Sequence, residues 1–165
     1  MLQRIQTVYL SLVVIIAVSL FFLPLAVVLS NTGPGNTQVA DMLKITGVVK
    51  SSNEAFGVDK YSEKMSIPWP LIIFNATAGL MALLTVFMYA NRKKQMLYCR
   101  INLVLICLFT AVIFWMADNL KRNSGGQLTY LFGTYLPVIQ LILTYLAERA
   151  IKKDDDLVKS ADRLR

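Results

Sequence analysis

Gly133, Pro137, Gln140, Thr144 and Glu148 recur at steps of four, three, four and four inside an otherwise apolar stretch. That spacing lays one polar stripe along a single helix face. At membrane depth such a stripe either marks the path of a polar solute or hydrogen-bonds neighbouring helices together. A path would use Gln140 near its middle and Glu148 near its inner end. In the packing alternative, Gln140 bonds Asn75 or Asn102 on other apolar segments, and Glu148 meets water or Arg149 at the boundary. Asn75 belongs to a second patch of small and polar residues with Thr77, Ala78, Gly79 and Ala82, of the kind that lets helices approach closely.

The remaining reactive types are sparse. The chain has no histidine, which removes His-ligated haem, Ser–His hydrolysis, most zinc sites and the usual proton relay. Its two cysteines, Cys99 and Cys107, lie eight residues apart in one apolar segment and form no Cys-x-x-Cys pair. They read as packing residues. Asp154, Asp155 and Asp156 are adjacent, so on a helix they point in three directions and make a solvated acidic patch rather than a metal cluster. No phosphate-binding glycine loop or nucleotide fingerprint is present. The expectation is a protein that is not an enzyme and takes no cofactor or metal.

The elements that position these groups follow from composition. Of 165 residues, 56% are hydrophobic and 16% charged, and the mean hydropathy is +0.54. The apolar residues gather into blocks of the length needed to cross roughly 30 Å of hydrocarbon. The expected fold is an all-α membrane protein in one domain, with four transmembrane helices at about 5–29, 68–90, 97–117 and 128–151. In the first, Thr7, Ser11, Ile15, Ser19, Phe22 and Ala26 share a face expected to meet neighbouring helices, and Pro24 is expected to kink its far end. A retained helix fits better than a signal peptide, whose apolar core is shorter.

The segment 30–67 is polar. A turn cluster, Asn31–Asn36, opens it, and Leu43–Lys50 is expected to pair with Ala55–Tyr61 as a short β-hairpin. Ile67-Pro68-Trp69-Pro70 opens the second helix. Asn91-Arg92-Lys93-Lys94-Gln95-Met96 makes a basic turn, and Gly125-Gly126 a flexible connection. In the tail, 152–165, Leu157, Val158, Ala161 and Leu164 share a face, as in a short amphipathic helix lying at the membrane or against a partner.

The net charge of +7 fits cations beside helix ends better than nucleic-acid binding. Arg4, Arg92, Lys93, Lys94, Arg100, Arg149, Lys152, Lys153, Lys159, Arg163 and Arg165 fall on the side of the termini, eleven in all. The opposite side holds six: Lys44, Lys50, Lys60, Lys64, Lys121 and Arg122. The positive-inside rule then makes both termini cytoplasmic and 30–67 extracytoplasmic.

Two end motifs carry a family resemblance. Gln3-Arg4-Ile5-Gln6-Thr7-Val8-Tyr9-Leu10 at the start, and Arg149-Ala150-Ile151-Lys152-Lys153-Asp154 followed by Ser160-Ala161-Asp162-Arg163-Leu164-Arg165, resemble a four-helix integral-membrane family of the Bacteroidota, a domain of unknown function. The resemblance spans the whole chain and implies a bacterial inner-membrane location, with no activity or catalytic residue to carry over.

The expected role is a non-enzymatic scaffold or accessory subunit of an inner-membrane complex. Its partners would be the bilayer and either another protein or further copies of itself, with Leu157, Ala161, Arg163, Leu164 and Arg165 as the partner or lipid contact. The alternative is a small transporter or channel subunit acting as an oligomer.

Overall fold

A computed structural model describes residues 3–31, 38–53, 59–62, 67–88 and 92–163. Among them are four helices: α1 (Gln3–Ser19), α2 (Trp69–Phe87), α3 (Arg92–Ser124) and α4 (Phe132–Arg163). Five strands accompany them: β1 (Pro24–Asn31), β2 (Gln38–Lys44), β3 (Val48–Asn53), β4 (Asp59–Ser62) and β5 (Gln127–Tyr130). The chain divides into two compact units. One comprises 1–18, 74–108 and 137–165, the other 19–73 and 109–136.

The largest departure from expectation is at the first apolar run. It is not one helix over 5–29: α1 stops at Ser19, and 24–31 is a strand. Pro24 explains the stop. It has no N–H to donate to Leu20, and its ring would clash with that residue's carbonyl, so it ends the helix rather than kinking it. The Phe22 and Leu23 amides close the last turn onto Ser19 O at 3.1 and 3.3 Å. From Ala26 onward, buried residues (Ala26, Val28, Ser30) alternate with more exposed ones (Val27, Leu29), the period of two of a strand.

The sheet is antiparallel throughout, in the order β4-β3-β2-β1-β5. It is larger than the hairpin expected, and the hairpin turn falls elsewhere. Residues 43–50 are not one strand: the chain reverses at Ile45-Thr46, where the Lys44 amide bonds Gly47 O at 2.9 Å and the Gly47 amide bonds Lys44 O at 3.3 Å. Part of the expected partner strand, and residues 32–36 of the turn cluster, lie outside the described residues.

Leu25 is an extra residue between the pairs Pro24↔Lys44 and Ala26↔Leu43. This bulge frees its carbonyl, which accepts from the Leu131 amide at 2.9 Å and from the Thr134 hydroxyl at the start of α4.

The Gly125-Gly126 pair is a fixed junction, not a flexible one. Gly125 takes φ +64° and donates its amide to Lys121 O at 2.9 Å, the left-handed residue that terminates α3. Gly126 then passes so close to β1 that an added Cβ would lie 2.2 Å from Leu29 O. Residues 128–130, expected to begin the fourth helix, instead join Gln127 in β5, pairing Gln127–Tyr130 with Leu29–Ala26 of β1.

The tail is not a separate surface helix. No glycine or proline follows Pro137, and α4 runs unbroken to Arg163, stapled by Asp155 and Lys159 at i, i+4. Two helices, α2 and α3, are long and apolar enough to cross a membrane.

Candidate functional site

Within the unit built from 1–18, 74–108 and 137–165, amide and hydroxyl side chains lie inside among apolar ones, while many large apolar side chains lie outside. Each helix buries one face at steps of three and four: Gln6, Leu10, Val13 and Ala17 on α1; Asn75, Ala78, Ala82 and Thr85 on α2; Gln95, Cys99, Asn102 and Ile106 on α3; Gln140, Thr144, Ala147 and Ile151 on α4. The expected α4 stripe is thus inward-facing. The expected α1 face is not, because Thr7, Ser11 and Ile15 are exposed. Ser11 satisfies its hydroxyl on Val8 O of its own helix at 2.9 Å, so nothing draws it inward. Thr77 does the same on Phe74 O at 3.1 Å and is exposed, unlike the rest of its patch.

The amides act as clamps. Asn75 Nδ2 donates to Ala17 O at 2.9 Å, and Gln140 Nε2 to Val13 O at 3.1 Å. Neighbouring helices therefore bond to α1 one turn apart. Gln6 Nε2 reaches Ala150 O at 3.4 Å, and Gln95 Nε2 reaches Thr85 O at 3.3 Å. Close approach makes this feasible: a Cβ on Gly79 would lie 3.2 Å from the Ala17 Cβ. The sequence reading placed Gln140 against Asn75 or Asn102; both Asn75 and Gln140 instead select backbone carbonyls of α1. Gln6 and Gln95 were not singled out, although each stands four residues from a buried apolar residue, Leu10 and Cys99, which marks the inward face.

Because a carbonyl can only accept, the NH₂ ends of Asn75 and Gln140 must point at α1 and their oxygens must turn away. Asn75 Oδ1 and Gln140 Oε1 are buried without a partner, as are both polar atoms of Asn102, and all three residues are only 1% exposed. Asn102 lies three residues beyond Cys99, which packs with Leu10, Ala147 and Ile151. Val13 and Thr144 are each one turn further out on their own helices. These residues thus make the next layer of the bundle, about 4.5 Å along the axis. Chemically the layer can accept or donate hydrogen bonds but carries no titratable group.

An unpartnered buried amide costs about 1–3 kcal/mol. Asn102→Leu should therefore raise stability by about 1 kcal/mol or more in detergent unfolding, while Gln140→Leu, which breaks a clamp, should lower it by about 1 kcal/mol. If Asn102→Leu destabilises instead, that amide has a bound partner.

Among the described residues of this unit, charged side chains gather where α3 begins and α4 ends, and several are paired. Arg100 Nε meets Glu148 Oε1 at 2.7 Å, so Glu148 is an ion-pair member rather than a solvated group. Arg92 joins α3 to the tail through Asp154 O at 3.0 Å and Asp154 Oδ2 at 3.3 Å. Asp155 bonds Lys159, and that hydrogen bond, with Arg92 and Lys93 nearby, holds its carboxyl below the usual carboxylate range. The three adjacent aspartates therefore diverge, and no cluster suited to a metal occurs among the described residues. Of the expected tail contacts, Leu157 is exposed, whereas the side chains of Ala161 and Arg163, and all of Leu164 and Arg165, lie outside the described residues.

Together these features define a mostly helical protein with amide-clamped buried faces, two apolar helices of membrane-spanning length and a small antiparallel sheet. Residues 2–164 match the model of the family described as Domain of unknown function (DUF4293), and the chain belongs to that family. No curated protein matches it.

Proposed function

We propose that this chain is a four-span protein of a bacterial inner membrane, with both termini cytoplasmic. In this reading it is a non-enzymatic scaffold or accessory subunit. The embedding is supported by large apolar side chains left exposed on all four helices, among them Ile15, Leu80, Val104 and Ile142, around buried amides. That arrangement is favourable where the solvent is hydrocarbon. The 17 residues of α1 rise about 25 Å, and the apolar residues 20–23 that follow make up the balance. Orientation follows from the eleven cations on the side of the termini against six opposite.

One observation carries the scaffold role. Helix α4 continues about 27 Å beyond the exposed Tyr145 to Arg163, presenting exposed Leu157 and Val158 to the cytoplasm. The inner polar groups, by contrast, are largely spent on joining helices. The test is a crosslinked pull-down from native membranes with a tag after Arg165. A partner captured through Lys152, Lys153 or Lys159 is expected, and deleting Asp156–Arg165 should abolish the capture without impairing insertion. Unchanged capture by the truncated protein would remove the tail from the mechanism.

The unpartnered oxygens of Asn75 and Gln140 favour a second reading, passage of a polar solute through an oligomer. A homogeneous homo-oligomer whose flux in proteoliposomes falls on Gln140→Leu would establish it in place of the first.

A further inference from the structure

Beside the inner end of α4 lies an open groove of about 560 Å³ lined by Arg149, Lys152, Lys153, Asp156 and Leu157. Its charge is unbalanced, with three cations facing one acid. The other carboxylates nearby are engaged elsewhere: Glu148 with Arg100, Asp154 with Arg92, and Asp155 with Lys159.

Depth decides what the groove is suited to hold. The last exposed large apolar side chain before Leu157 is Tyr145. Arg149 stands about 6 Å past it and Lys153 about 12 Å. The headgroup region of each leaflet is roughly 5–7 Å thick, the difference between the full bilayer and its hydrocarbon core shared between two sides. Side chains on a helix lean toward its N-terminus, which for α4 is the bilayer side, and long cationic stems extend that reach. All three cations therefore meet the headgroup layer. A guanidinium with two ammonium groups matches phosphate oxygens, Arg149 by a two-pronged contact and the lysines as point charges.

We infer that this groove binds the phosphate of an anionic phospholipid headgroup in the cytoplasmic leaflet, whose acyl chains run along Tyr145 and Ile142. The inference rests on the membrane embedding proposed above. A soluble acidic protein would have to enter the headgroup layer to reach Arg149, whereas a lipid is already there.

The test uses the full chain in nanodiscs of phosphatidylcholine doped with phosphatidylglycerol, with retained lipid counted by native mass spectrometry. Phosphatidylglycerol should be retained preferentially. The triple variant Arg149→Gln, Lys152→Gln, Lys153→Gln should lose that preference by on the order of a hundredfold, at roughly fivefold per cation near the surface. Single variants should lose it in graded steps, and Lys121→Gln with Arg122→Gln should leave it intact.

Equal retention by the triple variant overturns the site. So does binding of inorganic phosphate to the detergent-solubilised protein as tightly as phosphatidylglycerol, which would make the groove a free-phosphate site. Binding of poly-glutamate through the same three cations, without lipid preference, would assign the surface to a protein and overturn the lipid. Insertion into the nanodiscs without lipid preference sinks the groove alone, whereas failure to insert sinks the embedding itself and the groove with it.

Discussion

Gly126→Ala detaches β5 from β1 and lowers the melting temperature of the unit containing the sheet. The single added methyl would sit 2.2 Å from Leu29 O, 2.6 Å from Leu29 C and 2.9 Å from Ser30 N. All three are backbone atoms of a strand bonded on both sides, to β2 and to β5, so none can move aside as a flexible side chain would. Relief requires breaking the Leu29↔Gln127 pairing, and overpacking of this kind costs about 1–3 kcal/mol or more. Gly125→Ala is the calibrating control. Nothing lies within 4 Å of its added Cβ, so its cost is the left-handed backbone alone, about 1–2 kcal/mol. Hydrogen exchange should show the amides of Gln127 and Thr129, which alternate with the Leu131 amide in facing β1, losing protection in Gly126→Ala while β2–β3 amides keep theirs. Equal effects of the two substitutions would mean that the close approach at Gly126 does not hold the junction.

A lysine at Val104 separates the membrane reading from a water-exposed one. Val104 is 60% exposed and Val158 42% exposed. In water a lysine at either position would change stability by no more than about 0.5 kcal/mol. If α3 is embedded, Val104→Lys meets hydrocarbon near the middle of the helix and costs about 2.5–3.5 kcal/mol, whereas Val158→Lys, on the cytoplasmic extension of α4, stays near neutral. Insertion measured by protease protection and unfolding measured in bicelles should both show this asymmetry. Two equally harmless lysines would place α3 in water and remove the basis of the proposed topology.

These experiments probe different consequences of one arrangement. The donor ends of Asn75 and Gln140 are turned inward onto carbonyls of α1, and exposed hydroxyls such as Ser11 are satisfied within their own helix. Among the described residues of this bundle, charged side chains gather where α3 begins and α4 ends, several of them in pairs. The buried polar atoms left over in it, Asn75 Oδ1, Gln140 Oε1 and both ends of Asn102, carry no charge, which is why the tail and the groove beside it carry the functional reading.

How much of this was legible in the sequence varied with the physics behind each feature. The α4 stripe was read correctly because a helical face is set by spacing alone, and Gln140 and Thr144 lie inward as the period requires. The start of α2 at Trp69-Pro70 was likewise readable, since proline fits a first turn that needs no N–H donor there. The α1 face was misread because hydroxyl residues can bond their own preceding turn and so do not report which way a helix looks.

Tertiary structure decided the rest. A continuous apolar run does not distinguish a helix from a buried strand, and residues 24–31 became a strand only because Pro24 stopped the helix and partners stood on both sides. One of those partners, β5, comes from a distant part of the chain, and it exists only because Gly126 lets two backbones nearly touch. Likewise, the sequence marks Asn75, Asn102 and Gln140 as polar residues within apolar segments, but whether and where each amide finds a carbonyl depends on how the helices pack. The reason is common to both: periodicity is a property of neighbours in sequence, whereas hydrogen-bond partners across the fold are chosen by distance in space.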